Sequence, residues 1–298
     1  MSKVQSIIGI LVALLFGGLV TLAGVQQGST YLGYPVFAIC ALLAFTIQWC
    51  AFIPAYLNRT EIYYDLVGGI TYILVICLAL TVHIRTTHVV DNRTLLIATI
   101  CGLWALRLGS FLFRRILKAG FDSRFIKIKQ DPLQFLMTWT MQGLWVIFTL
   151  AAGLAAMTSD HHLPLGWFGL IGAGIWLLGF SIEIIADRQK SEFRKNNKGF
   201  ITTGLWSWSR HPNYFGEILL WLGIAIIAFP VLEGWRLFTL ISPVFVFVLL
   251  VFVSGVRMLE NSGMARWGED DAYLSYVDRT SVLVPLPPKQ PSLDGSSK

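Results

Sequence analysis

Residues 183–221 carry acids, bases, an amide and indoles at spacings that converge on one another. Glu183 and Asp187 are four apart and Arg194 is seven beyond Asp187, so a continuous helix sets all three on one face. Arg188, Lys190, Lys195 and Lys198 flank that face. Carboxylates accept from ribose hydroxyls or an amide, and Arg and Lys hold phosphates, Arg as a planar fork. The pattern suits a nucleotide cofactor. It also suits an amphipathic helix facing lipid headgroups. Downstream stand Arg210, His211, Pro212, Asn213, Tyr214, Phe215, Gly216 and Glu217. Pro212 opens a helix at its first turn. Asn213 and Glu217 are then four apart on one face, and Gly216 admits close approach by a helix or a ligand. A buried amide and carboxylate at a helix start, beside Arg210 and His211, form a site candidate rather than packing. Trp206, Trp208 and Tyr214 are an interfacial aromatic belt, which composition favours, or platforms for a base.

The other chemistry-bearing residues are less informative. His161 and His162 read as a polar turn, and His83 and His88 as isolated, so no metal site is expected. All four cysteines (Cys40, Cys50, Cys77 and Cys101) lie in apolar runs without ligand spacing. They read as small buried hydrophobes.

These residues must be positioned by membrane helices. The chain has 298 residues, 55% hydrophobic and only 13% charged, where a soluble domain carries about a quarter charged. Eight apolar runs, at roughly 6–24, 35–57, 65–84, 94–113, 134–157, 163–186, 213–232 and 235–256, each approach the ~20 residues that cross a bilayer. Helix is forced there, because backbone groups in lipid must be satisfied within the segment. The fold class is therefore an all-α polytopic membrane bundle. Nearly all of the 23 Lys and Arg fall on the side of the N-terminus; Arg85, Arg93 and Arg236 fall on the other, and Arg107 inside a span. That side is then cytoplasmic, with both termini on it. The +6 charge is a topology signal, and no nucleic-acid partner is expected. Asp65 opens the third span, Glu183 ends the sixth, Glu217 starts the seventh and Arg257 ends the eighth, all in the cytoplasmic half. A polar chamber opening to the cytoplasm accounts for them economically. The expected organisation is an N-terminal span in residues 1–30, a membrane domain over 31–287, and a disordered cytoplasmic tail at 288–298.

The stretch Arg210–Glu217, preceded by Gly204-Leu205-Trp206 and by Glu183 and Asp187, resembles the membrane steroid 5α-reductase superfamily, most closely its bacterial DUF1295 branch. Trp104–Gly109, Asp122–Phe125, Tyr64-Asp65 with Gly68, and Tyr273, Tyr276 and Arg279 extend the likeness over about residues 45–287. The resemblance implies a seven-helix reductase-like core, behind one extra N-terminal span, with NADPH in a cytoplasm-facing cavity. It assigns Glu183, Asp187, Arg194, Arg210, His211, Asn213, Tyr214, Glu217 and Arg257 to the cofactor. The activity implied is reduction of an activated C=C bond in a lipophilic, steroid-like or enone substrate. Tyr64 and Asp65 are the candidate acid that polarises the substrate carbonyl. The chain departs from the steroid enzymes at Asn261, where they carry a histidine, and at Trp49 and Trp104, where they carry a glutamate and a tyrosine. The Arg-His-Pro piece also occurs in isoprenylcysteine carboxyl methyltransferases, so a membrane methyltransferase using S-adenosylmethionine is the alternative. A third reading is a lipid- or sterol-binding protein without activity. Expected partners are membrane lipids and a lipophilic small molecule, and the expected location is a bacterial inner membrane.

Overall fold

The computed structural model describes residues 2–88 and 91–289. The tail expected at 288–298 therefore lies, past Lys289, outside the described residues. Helices run α1 Lys3–Gly24, α2 Val36–Leu57, α3 Tyr64–Thr87, α4 Asn92–Ala119, the short α5 Phe125–Ile128, α6 Pro132–Met157, α7 Gly166–Asn196, α8 Pro212–Ala228, α9 Ser242–Val248, α10 Val256–Trp267 and α11 Asp271–Arg279. A hairpin of two-residue strands, β1 Thr30–Tyr31 and β2 Tyr34–Pro35, joins α1 to α2. Eight helical stretches among the described residues are long and apolar enough to cross a bilayer. The chain is an integral membrane protein of all-α class, and each expected span is present. The chain divides into two compact units, Met1–Ile171 with Ile224–Ser242, and Gly172–Gly223 with Pro243–Lys298.

The first unit is built on α6. The apolar part of α6 is 83% buried, whereas that of α1 is 22% buried. Its C-terminal half is rich in Ala and Gly, and it packs on α1, α2, α3 and α4. Small residues let helix backbones approach where lipid offers no hydrophobic drive. Phe45 of α2 fits between Gly17 of α1 and Gly143 of α6; a Cβ there would stand 2.9 and 2.8 Å from its ring. Polar side chains join the helices in pairs. Gln48 Nε2 donates to Thr71 Oγ1 at 2.7 Å, Trp49 Nε1 to Thr140 Oγ1 at 3.1 Å, and Gln142 Nε2 to Tyr64 O at 3.1 Å. Tyr72 and Thr149 hydroxyls meet at 2.5 Å. Such ties contribute about 0.6 kcal/mol each on average.

Charge in this unit is buried only where it collects several partners. Arg236, 1% exposed, donates to Gln27 O at 3.0 Å, to Ala155 O, and to Thr158 Oγ1 at 3.2 Å. Arg93, 3% exposed, donates to Ile227 O and, at 2.8 Å, to Pro164 O. The guanidinium has five donors, enough to serve carbonyls left over at helix ends. In the turn before α3, buried Glu61 takes Lys129 Nζ at 2.6 Å and the Asp122 backbone N–H at 2.9 Å.

In the second unit, α7 and α8 cross with backbones in contact. A Cβ on Gly179 would lie 2.5 Å from Gly216 O, one on Gly216 would lie 2.5 Å from Gly179 O, and one on Gly223 would lie 2.5 Å from Gly172 O. The last span differs from the single helix expected. It runs as a 3-10 stretch, Gly234–Ile241, then α9, then a π turn, Leu249–Val253, and breaks at Ser254 and Gly255 before α10. Gly255 packs so closely on Leu250 O that a side chain has no room there. The break allows α10 and α11 to fold as separate short helices.

Replacing Gly216 by Ala pushes a methyl into the Gly179 carbonyl, and overpacking of this kind costs about 1–3 kcal/mol. Gly18, whose Cβ position meets nothing within 4 Å, is the control. Thermal unfolding in detergent should show Gly216→Ala less stable than the native chain, and Gly18→Ala unchanged or slightly more stable.

Candidate functional site

The chemistry-bearing residues of the second unit surround one cavity of 150 Å³. Its walls come from the end of α7 (Lys190, Phe193, Arg194), the 199–211 segment, α10 and α11. Local bonds hold the 199–211 segment in place. Gly204, at φ +64°, lets the chain turn under Gln189, whose Oε1 accepts from Leu205 N at 3.0 Å. Trp206 Nε1 donates to Ala186 O of α7 at 3.0 Å, and Tyr276 Oη of α11 donates to Trp206 O at 2.8 Å. Ser209 pairs as a parallel bridge with Ser281, Arg210 N donating to Ser281 O at 2.8 Å. The chain after α11 thereby straps the Arg210–His211 corner.

Glu260 of α10 organises the charges at that corner. One carboxylate oxygen lies 2.8 Å from Arg210 Nη2 and the other 2.7 Å from His211 Nε2. Arg210 also donates to Val277 O through Nη1. The His211 ring stacks on Tyr214, with centroids 5.7 Å apart and planes 8° from parallel. Burial pushes the imidazole below its ordinary range, against the opposing pull of Glu260. The neutral ring then presents Nε2–H to Glu260 and leaves Nδ1 as an acceptor. Arg210 Nε and His211 Nδ1 are buried without a hydrogen-bond partner among the described residues. Elsewhere in the wall, Lys190 Nζ sits 4.5 Å over the Trp206 ring. Phe200 packs against Tyr273, Tyr276 and Trp267, with centroids 4.9, 5.8 and 5.7 Å away. Burial raises the Tyr273 and Tyr276 hydroxyls above their usual range, so both stay protonated donors.

Of the residues expected to act together, Arg194, Arg210 and His211 line this cavity. Asp187 and Asn213 pair with each other, Asn213 Nδ2 donating to Asp187 Oδ1 at 3.2 Å. Glu183 is buried in the α7–α8 crossing, its backbone N 2.8 Å from where a Gly216 Cβ would be. Glu217 is half-buried on α8, and Arg257 is exposed and outside the cavity lining. Tyr64 and Asp65 belong to the first unit. Tyr64 Oη donates to Thr138 O at 3.0 Å between the rings of Phe125 and Trp139, and Asp65 lies 3.8 Å from Arg115. Glu260, Arg266, Phe200 and Trp267 of the lining had no role in the sequence reading. Tyr273 and Tyr276 carried part of the family likeness but no expected site role, although their three-residue spacing sets them on one helix face. Against the expectation of isolated histidines, His83 and His162 are brought within reach of each other and of Asp91.

Residues 51–280 match the model of a family described as protein of unknown function (DUF1295). Over 245 residues the chain is 25% identical to an uncharacterized protein of Schizosaccharomyces pombe, covering 70% of this chain and 66% of that one. A 125-residue stretch is 30% identical to the delta(14)-sterol reductase of Saccharomyces cerevisiae, covering 38% of this chain and 28% of that enzyme. A 116-residue stretch is 29% identical to a probable 7-dehydrocholesterol reductase of Acanthamoeba polyphaga mimivirus, covering 32% of this chain and 25% of that protein. The chain thus spans just under two thirds of the first relative's length and about a quarter of each sterol reductase's.

The His211 shift has a sign that can be measured. The folded chain binds this proton less readily than the unfolded one, so stability is full above about pH 6.5 and falls as the pH drops below it. As the pH falls below about 6.5, the native chain should lose stability more steeply than His211→Gln, by at most about 1.4 kcal/mol per pH unit. Thermal melts of both proteins across that range would check it, and parallel slopes would contradict it.

Proposed function

We propose that this chain, which belongs to the DUF1295 family, is a membrane-embedded, NADPH-dependent reductase of an activated C=C bond in a lipophilic substrate. The reading rests on the cavity lining. Four cations, Lys190, Arg194, Arg210 and Arg266, stand with the rings of Phe200, Trp206, Trp267, Tyr273 and Tyr276 around one carboxylate, Glu260. That set suits phosphate oxygens beside a flat base. The unpartnered Arg210 Nε and His211 Nδ1 leave a donor and an acceptor for a polar ligand. At 150 Å³ the cavity is below the roughly 300 Å³ of a small ligand pocket. It therefore has room for one part of a dinucleotide, a base or a phosphate, rather than the whole. S-adenosylmethionine carries no phosphate and a single carboxylate, so the methyltransferase alternative accounts for fewer of these cations. The similarity to two proteins named as sterol reductases also supports a reductase acting on a sterol-like or enone lipid.

In this reading Lys190, Arg194 and Arg266 hold phosphate, and the aromatic wall stacks the base. Glu260 keeps Arg210 and His211 oriented. Asp187 and Asn213, already bonded to each other, present an acceptor and an amide to ribose or carboxamide. Glu183, Tyr214, Glu217 and Arg257 stay in the proposed cofactor set on the likeness of their motif. Bound NADPH would supply the hydride. Tyr64 and Asp65 remain the proposed acid that polarises the substrate carbonyl; to serve, Tyr64 Oη must exchange Thr138 O for the substrate oxygen. The basic face is taken as cytoplasmic, with both termini on it, and a bacterial inner membrane as the location.

NADPH at about 100 times its dissociation constant should stabilise the detergent-purified protein by about 2.7 kcal/mol, visible as a melting shift. A charged hydrogen bond is worth about 1.5–3 kcal/mol. The double variant Lys190→Ala/Arg194→Ala should therefore lose most of the shift, and NADH should give a smaller one. A folded protein that responds to S-adenosylmethionine and not to NADPH would contradict the reading.

A further inference from the structure

Three side chains far apart in sequence meet beside the start of α4. His83 lies in the last turns of α3 and is 2% exposed. Asp91 caps the N-terminus of α4. His162 stands exposed in the turn between α6 and α7. One ligand-type atom from each lies within 4.8 Å of the other two. All three residues belong to the first unit.

The arrangement has the features of a built ligand set. Asp91 Oδ1 accepts from the backbone N–H groups of Arg93 and Thr94, at 2.8 and 3.0 Å, which fixes the carboxylate. Its Oδ2 is left facing His83 Nε2 at 3.0 Å. The two are close without the alignment of a hydrogen bond, and Nε2 is buried with no hydrogen-bond partner among the described residues. A buried imidazole nitrogen and the carboxylate oxygen facing it are a pair of donor atoms that a cation can bridge. The His162 ring crosses that of His83 at 74°, with centroids 5.5 Å apart.

We propose that His83, Asp91 and His162 bind one divalent transition-metal ion of the zinc type, with the remaining position open to water. Two imidazoles and a carboxylate are donors such an ion accepts. Metal–ligand bonds of about 2.0–2.2 Å at tetrahedral to right-angled spacing put ligand atoms about 3.0–3.5 Å apart. The His83–Asp91 pair already meets that spacing, and His162, exposed on its turn, has the freedom to close the rest. The helix-capping bonds to Asp91 are the outer-shell support that metal carboxylates commonly carry. The ion would clamp the end of α3, the start of α4 and the α6–α7 turn, where Arg93 already holds Pro164 O at 2.8 Å. This site is independent of the cofactor reading.

The test uses the full chain in detergent, freed of any histidine tag and stripped with chelator. Zinc should raise its melting temperature. Cobalt in its place should give the visible absorption of a low-symmetry site at one ion per chain. Both signals should be lost or weakened at least about tenfold in His162→Ala, whose exposed side chain is not needed for folding, and in His83→Ala if it folds. Both should persist in His161→Ala, the neighbouring histidine, which lies 3.4 Å from Glu233 instead. No zinc-dependent shift in the native chain, or an equal shift in His162→Ala, would overturn the proposal.

Discussion

The backbone-to-backbone contact of α7 and α8 at Gly179 and Gly216 is the constraint on which the second unit depends. Any side chain there would hold the helices apart. With none, Asp187 reaches Asn213 across the crossing at 3.2 Å. The same contact fixes where α8 begins, and so where Arg210 and His211 emerge before Pro212. From that corner the structure continues outward through Glu260 to α10 and through Ser281 to the strap after α11. In the first unit the equivalent constraint is the glycine notch that seats Phe45 against α1 and α6.

Charge is handled differently in the two units. Arg93 and Arg236 are buried and spend their donors on backbone carbonyls, and neither has an ion pair among the described residues. That arrangement serves helix ends, although Nε of each is buried without a hydrogen-bond partner among the described residues. Around the cavity, cations outnumber the single lining carboxylate. The Arg210–Glu260 and His211–Glu260 pairs are largely buried, so the cost of desolvating them offsets much of their attraction and their net share of stability is modest. Their consequence is orientation: one carboxylate holds two side chains at a fixed angle to the aromatic wall.

The bundle was legible in the sequence because crossing a bilayer demands length and apolarity, and both are written along the chain. Of the candidate site, Arg194, Arg210 and His211 in the cavity wall were legible, and the helical spacings that bring Asp187 to Asn213 were too. The opposite wall was not. Glu260, Arg266, Trp267, Tyr273 and Tyr276 lie on short helices after the Gly255 break, where no period announces a shared face. Glu260 in particular follows a residue that resemblance singled out, Arg257, yet it is Glu260 that turns to the cavity. His83, Asp91 and His162 were illegible for a simpler reason: α4 and α6 separate His162 from the other two in sequence, and only the packing of the first unit reunites them.

The central claim, that the cation-and-aromatic cavity seats a phosphate-bearing cofactor, is tested most directly by photoaffinity labelling. The detergent-purified protein would be irradiated with a photoreactive NADPH analogue, and the modified peptides mapped. The account predicts labelling within residues 190–211 or 259–276, suppressed by excess NADPH. Labelling confined to the first unit, or undiminished by NADPH, would contradict it.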